Sequence, residues 1–320
     1  MKILITGSAG FIGSHLAEKL SDRGHDVVGI DCLTDYYSIE QKKLNLSDIQ
    51  SKGVRFIPID IARDDLDEVV RDVDFIYHLS AQPGISSATS FDTYLRNNII
   101  ATKRLLDSAQ KSDRLNGFVN ISTSSIYGAL ATGDETTEPK PTSNYGVTKL
   151  AAEQLVMAIA REKSFPSCSM RLFSVYGPRE RPEKLYPRLI GSILDRKPFP
   201  LCEGSRTHMR SFSFIDDITD GLASALTHFD DCKGEIFNIG NDVAITTGEG
   251  IRLIEEIIGA KAVFRDVPKR PGDQLRTHAN IEKARKILGY DPKTPAIEGL
   301  AREVEWYRDK IHGKIDLWRI

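Results

Sequence analysis

Three glycines within seven residues, Gly7-Ser-Ala-Gly10-Phe-Ile-Gly13, constrain the fold of this chain more than any other feature. They follow a short apolar run, residues 2–6, that reads as a buried strand. They precede residues 11–23, where Phe11, Ile12, Leu16 and Leu20 have helical spacing and Gly24 closes the run. A strand that turns at once into a helix leaves the first helical N–H groups facing the turn. Glycine there allows a sharp bend and the close approach of an anion such as a pyrophosphate. Purely structural turns also use glycine, so placement carries the weight. A second strand over 26–30 ends in an acid, Asp31, eighteen residues beyond Gly13. A carboxylate at that point accepts hydrogen bonds from ribose hydroxyls and repels a 2′-phosphate, and no Arg follows it directly. The pattern favours NAD over NADP.

Further short apolar runs at 55–59, 74–78 and 117–121 are separated by helical stretches, and longer helices are predicted over 91–112 and 142–163. Strands alternating with helices predict an α/β chain, a Rossmann-type doubly wound parallel sheet covered on both faces. From Phe173 onward the pattern loosens, with Pro178, Pro182, Pro187, Pro198 and Pro200 close together. The later part reads as a smaller, interleaved α/β substrate-binding domain. Strands at 211–214 and 235–239 are predicted to return to the main sheet. The expected division is 1–172 with 211–240 for the dinucleotide, and 173–210 with 241–320 for substrate.

With 40% hydrophobic and 28% charged residues and a net charge of -2, the chain reads as a soluble globular protein that does not hold nucleic acid by bulk charge. No run approaches the roughly 20 apolar residues of a membrane span, and the first 20 residues do not read as a signal peptide. Cys32, Cys168, Cys202 and Cys232 are scattered without metal-ligand spacing. The expectation is a cytoplasmic protein without a metal site.

Tyr145-Gly-Val-Thr-Lys149 sets a phenol and an ammonium at i and i+4, on one face of a helix. Such a pair can be a mere surface contact. It gains force because it follows a strand running into Ser122-Thr123-Ser124-Ser125, whose hydroxyls emerge at the carboxyl edge of the sheet, where ligands bind. A phenol with an ordinary pKa near 10 is a poor base at neutral pH. Lys149 and a nicotinamide cation would favour phenolate, so Tyr145 can take a proton from a sugar hydroxyl, with Thr123 or Ser124 sharing the hydrogen bond.

At these residues the chain resembles the extended short-chain dehydrogenase/reductase family of nucleotide-sugar epimerases, dehydratases and decarboxylases, and the resemblance covers essentially its whole length. It implies that Gly7, Gly10, Phe11, Ile12, Gly13 and Asp31 bind the cofactor. It adds Asp60 and Ile61 beside the adenine, Leu79 and Ala81 in His78-Leu-Ser-Ala81, and Asn98, Ser122, Tyr145, Lys149 and Phe173. Phe237-Asn-Ile-Gly240 resembles a late strand motif of the family. Arg210 and Arg270, the latter in Arg-Pro-Gly-Asp273, would grip a nucleotide diphosphate, as paired guanidinium groups suit one. Ser211 stands where the family commonly has Asp. Gln82, Ser125 and Arg188 complete the expected substrate contacts.

All branches of this family begin by oxidising a sugar hydroxyl. The dehydratases need an Asp-Glu pair after the catalytic Thr, and the decarboxylases usually have Glu at the second position. Here Ser124 and Ser125 stand there, and serine cannot replace a carboxylate proton shuttle. The simplest cycle, C4 epimerisation of a UDP-sugar, is favoured. Arg171-Leu-Phe-Ser174-Val-Tyr-Gly-Pro178-Arg-Glu-Arg181-Pro182 resembles the segment in UDP-glucuronate 4-epimerases, where a small hydroxyl at 174 and a guanidinium at 181 suit a sugar carboxylate. Arg181 ordering its own Pro-rich loop is an equal alternative. Ser86 and Glu183-Lys184 depart from that subgroup. A 4-epimerase of neutral UDP-hexoses, a decarboxylase or dehydratase, a ketosugar reductase and a non-catalytic NAD-binding regulator remain as alternatives. The resemblance also implies a homodimer joined by a four-helix bundle of the helices near 91–112 and 142–163. Their apolar stripes (Leu95, Ile99, Leu105, Leu106, Leu150, Leu155, Ile159) fit that bundle or an intramolecular core. His208, Cys202 and Asp64-Asp65 have no expected role beyond core or surface.

Overall fold

A computed structural model describes residues 1–86, 88–269 and 274–315. Strand β1 (Lys2–Thr6) leads into helix α1 (Phe11–Asp22), and β2 (Asp26–Asp31) into α2 (Ile39–Ser51). The Ser38 hydroxyl caps α2, accepting from the Gln41 N–H at 3.3 Å. Next come β3 (Arg55–Pro58), α3 (Asp67–Arg71) and β4 (Phe75–His78). The predicted helix 91–112 is a continuous run of α4 (Phe91–Tyr94), a π-helical turn over Leu95–Ile100, and α5 (Ala101–Ala109). Strand β5 (Gly117–Thr123), the two-residue β6 (Leu130–Ala131), α6 (Asn144–Lys163) and β7 (Ser167–Leu172) follow.

Strands β1 to β5 and β7, joined by β12 (Ile236–Ile239), form one seven-stranded parallel sheet in the order β12-β7-β5-β4-β1-β2-β3. The order reverses at β1, between β4 and β2, which puts a crevice at the carboxyl ends of β1 and β4. Alternate residues of β1 face opposite cores. Ile3 and Ile5 join Leu16 and Leu20 of α1 on one side; Leu4 joins Leu105 and Leu106 of α5 on the other. The two outer layers are thus fixed by period-two burial along each strand.

The second lobe holds β8 (Ser174–Tyr176), α7 (Leu185–Leu194), β9 (Phe199–Cys202), β10 (Met209–Arg210) and β11 (Phe212–Phe214). After α8 (Ile215–Ser224), α9 (Phe229–Cys232) and β12 come β13 (Ile245–Thr246), α10 (Thr247–Ile258), β14 (Phe264–Val267), β15 (Arg276–Thr277), α11 (Glu282–Leu288) and α12 (Ala296–Trp306).

One expectation is corrected here. The segment 211–214 does not return to the main sheet, because β11 pairs with β8 as a separate parallel ribbon. The return is made by α8, which packs on α1, and by β12. Strand β7 is a central strand that the apolar pattern did not reveal. The core beneath α1 runs without a break into Phe199, Ile251, Leu300 and Val304, so the two lobes share one apolar interior. Of the supposed bundle stripe, Leu105 and Leu106 are fully buried within the chain, and Leu150, Leu155 and Ile159 pack against its own core. Phe91, Ile100 and Val147 are the large apolar residues exposed on those helices.

Candidate active site

One cleft of about 570 Å³ runs along the carboxyl edge of the sheet and between the lobes, within the size range of ligand pockets. Its floor begins at the glycine turn. Gly7 has φ +73°, and a Cβ on Gly13 would lie 2.1 Å from the Gly7 carbonyl oxygen, so α1 meets β1 as closely as backbone can. Helix α1 has no side-chain cap, which leaves its first N–H groups facing the cleft beside Phe11 and Ile12. Asp31 lies at the next strand end. Its carboxylate accepts from Leu33 N at 2.8 Å and Ala9 N at 3.3 Å, which fixes it at the cleft wall. Cys32, Thr34, Tyr36 and Lys42 line the same wall.

Asp60 and Ile61 line the cleft at the end of β3. The Asp60 carboxylate accepts from Ala62 N at 3.0 Å and pairs with Arg96, while Asp64 accepts from Asp60 N at 2.8 Å. Asp64, given no expected role, therefore shapes this loop. Leu79 and Ala81 border the cleft, held by a residue that sequence reasoning missed. Thr6 Oγ1 accepts from Leu79 N at 3.1 Å and Ser80 N at 3.0 Å, and lies 2.9 Å from His78 Nδ1. Thr102 Oγ1 donates to the Asn98 carbonyl at 2.6 Å, so it accepts from His78 Nε2 at 2.9 Å. That order assigns the neutral Nε2–H tautomer to His78. Burial, with Lys149 nearby, pushes its pKa down to about 3.

Asn98, expected at the cofactor, is buried and does not itself line the cleft. Its amide is used within the chain: Oδ1 accepts from Gln82 N at 2.7 Å and Nδ2 donates to Thr148 Oγ1 at 3.0 Å. The π-helical turn that carries it supplies that reach. Gln82 itself lines the cleft.

Strand β5 delivers Ser122 and Thr123 to the cleft, and the short turn beyond it delivers Ser124 and Ser125. Helix α6, capped by Ser143 accepting from Gly146 N at 3.1 Å, brings Tyr145 and Lys149 opposite them. The Tyr145 phenol is hydrogen-bonded to Thr123; burial pushes its pKa up, and Thr123 and the Arg181 guanidinium pull it back. Lys149 Nζ donates to the Ile121 carbonyl at 2.5 Å, and burial lowers its pKa to about 8 against the opposing charge of Glu153. Gln274, which sequence reasoning missed, donates to the Ser124 and Gly128 carbonyls at 3.2 and 3.0 Å and closes this end of the cleft.

The opposite wall comes from the second lobe. Phe173 is buried against Gly240, and Ser174 opens β8 facing the cleft. The loop after β8 is strapped to the first lobe. Pro178 O accepts from His15 at 2.9 Å, Arg179 pairs with Glu18 and Asp48 at 2.8 Å each, and Gln41 donates to the Arg179 and Glu180 carbonyls at 3.1 Å. The strap holds Arg181 inside the cleft, paired with Glu183 at 2.8 Å. Arg188 of α7 and Arg210 of β10 line the far end, where Cys202 and His208 also border the cleft rather than serving only as core or surface. Ser211 is a structural staple, its Oγ accepting from Ala279 N at 2.8 Å. Arg270 and Asp273 lie outside the described residues. A phenol, hydroxyls and an ammonium thus share one cleft with the glycine turn, and three guanidinium groups line the rest of it. The arrangement can move a proton at a bound hydroxyl while holding anionic groups.

The chain matches the NAD dependent epimerase/dehydratase family over residues 3–240. It is 37% identical to a protein of Bacillus subtilis (strain 168) described as an uncharacterized UDP-glucose epimerase, over 98% of this chain and 100% of that one. It is 30% identical to UDP-glucuronate 4-epimerase 2 of Arabidopsis thaliana, over 96% of this chain and 76% of that protein. The solved structure of UDP-glucuronic acid 4-epimerase from Bacillus cereus, in complex with UDP-glucuronic acid and NAD, matches with a TM-score of 0.92 and 37% identity. That match covers 97% of this chain and 99% of that one.

Proposed function

Because this chain belongs to the NAD dependent epimerase/dehydratase family, we propose that it interconverts UDP-glucuronate and UDP-galacturonate by NAD-dependent epimerisation at C4. One observation carries the choice of reaction and substrate. The turn that follows Thr123 opposite Tyr145 carries hydroxyls at 124 and 125 and no carboxylate, and the same cleft is lined by Ser174 and the guanidinium of Arg181. A site with serines and no carboxylates directly after its threonine is built to restore the sugar rather than eliminate from it. A cation facing that base suits a substrate with a carboxylate next to the reacting carbon.

The residues fit the cofactor. The Gly7–Gly13 cradle and the uncapped start of α1 would hold the pyrophosphate, Asp31 the adenosine ribose, and Lys149 the nicotinamide side. NAD, when bound, supplies the acceptor and then the donor of the C4 hydride. Tyr145 takes the proton from the C4 hydroxyl, and Thr123 orients that hydroxyl through the hydrogen bond it shares with the phenol. The resulting ketone is a β-keto acid, which loses carbon dioxide when the carboxylate bond aligns with the carbonyl π system. Arg181, Ser124 and Ser174 restrain the carboxylate from that alignment. The ketosugar turns over within the cleft so that the opposite face of C4 is presented for the returning hydride, and Tyr145 gives its proton back to the C4 oxygen.

The same reading extends to assembly. The chain is proposed as a homodimer, supported by the exposed Phe91, Ile100 and Val147 on the two helices that would pair with their copies. Light scattering should give twice 35.7 kDa; a single-chain mass would remove this part. Among the described residues, no helix is long and apolar enough to cross a membrane, in line with a proposed cytoplasmic site of action.

Purified enzyme incubated with UDP-glucuronate, without added NAD, should yield UDP-galacturonate by proton NMR, with no pentose and no net NADH. Failure on UDP-glucuronate with epimerisation of UDP-glucose would instead support the neutral-sugar reading, which the name of the Bacillus subtilis relative favours. A pentose product would point to the decarboxylase reading.

A further inference from the structure

Arg181 reaches the cleft from the second lobe, but the groups that fix its guanidinium plane come from the first. The ring of Tyr36 lies beneath it, with the guanidinium carbon 5.7 Å from the ring centroid. On another side is the bare backbone of Gly84, at φ +82°. A Cβ there would lie 3.3 Å from Arg181 Nη2 and 3.4 Å from the Tyr36 hydroxyl. Tyr94 holds that backbone in place, donating its hydroxyl to the Gly84 carbonyl at 2.6 Å. Glu183 takes Nη1 at 2.8 Å and is more than twice as exposed as Arg181, at 38% against 15%.

The position of Tyr36 is itself determined. Its loop begins at Asp31, and Leu33, in the left-handed region at φ 51°, turns its N–H back to that carboxylate. Lys42 ties the loop down through the Thr34 carbonyl at 2.5 Å, and Ser38 closes it by capping α2. Between those anchors Tyr36 faces the cleft, while Tyr37 is buried under Lys42.

We propose that Tyr36 is the positioning residue that presents Arg181 to the sugar carboxylate, and so helps determine selectivity for a uronate over a neutral sugar. The inference rests on the uronate reading above. A guanidinium on a flexible stem of three methylenes reaches many orientations, and its value for a carboxylate depends on holding a planar fork in one of them. Ring face and glycine backbone together remove that freedom, and the same loop carries the carboxylate for the cofactor ribose. Glu183, as the more exposed partner, is the contact that a substrate carboxylate can replace.

The test compares the NAD-loaded wild type with Tyr36→Phe, Tyr36→Ala and Arg181→Ala, measuring Kd for UDP-glucuronate and for UDP-glucose together with product partition. The Tyr36→Ala change should lower the preference for UDP-glucuronate about tenfold, the size of one charge-assisted hydrogen bond, and act on KM more than on kcat. It should also leak product. Carbon dioxide leaves the 4-keto uronate, its bonding electron pair passes into the enolate, a solvent proton adds at C5, and one NADH per released ketopentose stays unreoxidised. Tyr36→Phe keeps the ring face and should recover most of the preference, while Arg181→Ala sets the full loss. An unchanged ratio and clean product in Tyr36→Ala, with NAD content and thermal midpoint intact, would overturn the inference and leave the uronate reading standing. No binding or conversion of UDP-glucuronate by the wild type would overturn both. If Tyr36→Ala loses NAD or unfolds, Tyr36→Phe decides: a preference lowered as far as in Arg181→Ala, with no recovery from the ring, would refute the face contact.

Discussion

Tyr145 and Lys149 lie one helical turn apart, yet their environments treat them differently. The phenol sits in surroundings that raise its pKa, offset by Thr123 and Arg181, whereas the ammonium is lowered to about 8 and donates to the carbonyl of Ile121. In the proposed reaction the Tyr145 hydroxyl carries the C4 proton, because the Lys149 ammonium is already engaged with the Ile121 carbonyl. Replacing Tyr145 by Phe keeps the ring, whose centroid lies 6.3 Å from that of Tyr94 at a tilt of 49°, and removes only the proton carrier. Turnover of Tyr145→Phe should fall by about a thousandfold, in the usual range for general base catalysis, while NAD remains bound. Turnover near wild type, measured by the same NMR assay, would assign the base elsewhere. Arg181 belongs to the same scale: its charge acts on the phenol as well as on any carboxylate beside it.

At the scale of elements, the contact that seats α6 against the sheet is an ion pair inside the protein. Arg171 of β7 donates to both oxygens of Glu153, at 3.0 and 2.7 Å, with the two side chains 3% and 0% exposed. Arg171 also donates to the Tyr127 hydroxyl at 2.7 Å, which in turn donates to Asn238 at 2.9 Å. Removing one partner leaves an uncompensated buried charge. Glu153→Leu should cost about 3–5 kcal/mol in urea unfolding, and adding Arg171→Met should recover most of that. If the double variant were as unstable as the single one, the pair would be needed for its charge and not merely for mutual satisfaction. This buried polarity is also why β7 was illegible. Ser167-Cys-Ser-Met-Arg-Leu172 is buried along its whole length, but Ser169 is matched by Asn120 and Arg171 by Glu153, so it lacks the apolar run that marked β1 and β5. The glycine turn, Asp31 and Tyr145–Lys149 were legible because each depends on local spacing. Thr6, Gln274 and Tyr36 were not, because each acts on a residue brought near by the topology alone. The ribbon of β8 and β11 shows the same limit: alternation in Phe212–Phe214 marks a strand, and only packing selects its partner.

For the whole molecule, two buried sites tie stability to pH in opposite directions. His78, fully buried and neutral, has its pKa pushed from 6.5 down to about 3, so the unfolded chain binds the proton more readily. Its contribution is present above pH 6.5 and is lost as pH falls toward 3, on the order of 2 kcal/mol by pH 5. Glu180 of the strap and Glu303 of α12 form the second site. They are buried against each other at 4% and 1% exposure, and burial holds both carboxyls protonated well above the ordinary value of 4.5. Here the folded chain binds protons more readily, so the contribution is complete at acid pH and is lost as pH rises from 4.5. Between 4.5 and 6.5 the two slopes oppose each other; above 6.5 the contribution of the carboxyl pair continues to decline. Glu303→Gln replaces a protonated acid by an amide of the same shape and removes its share of the decline. Urea midpoints of wild type and variant without NAD should therefore diverge in the variant's favour between pH 6.5 and 8.5. A constant difference across that range would mean that the carboxyls ionise freely in the fold. The consequence would reach the active site, because Glu180 adjoins Arg181 on the strap that joins the lobes.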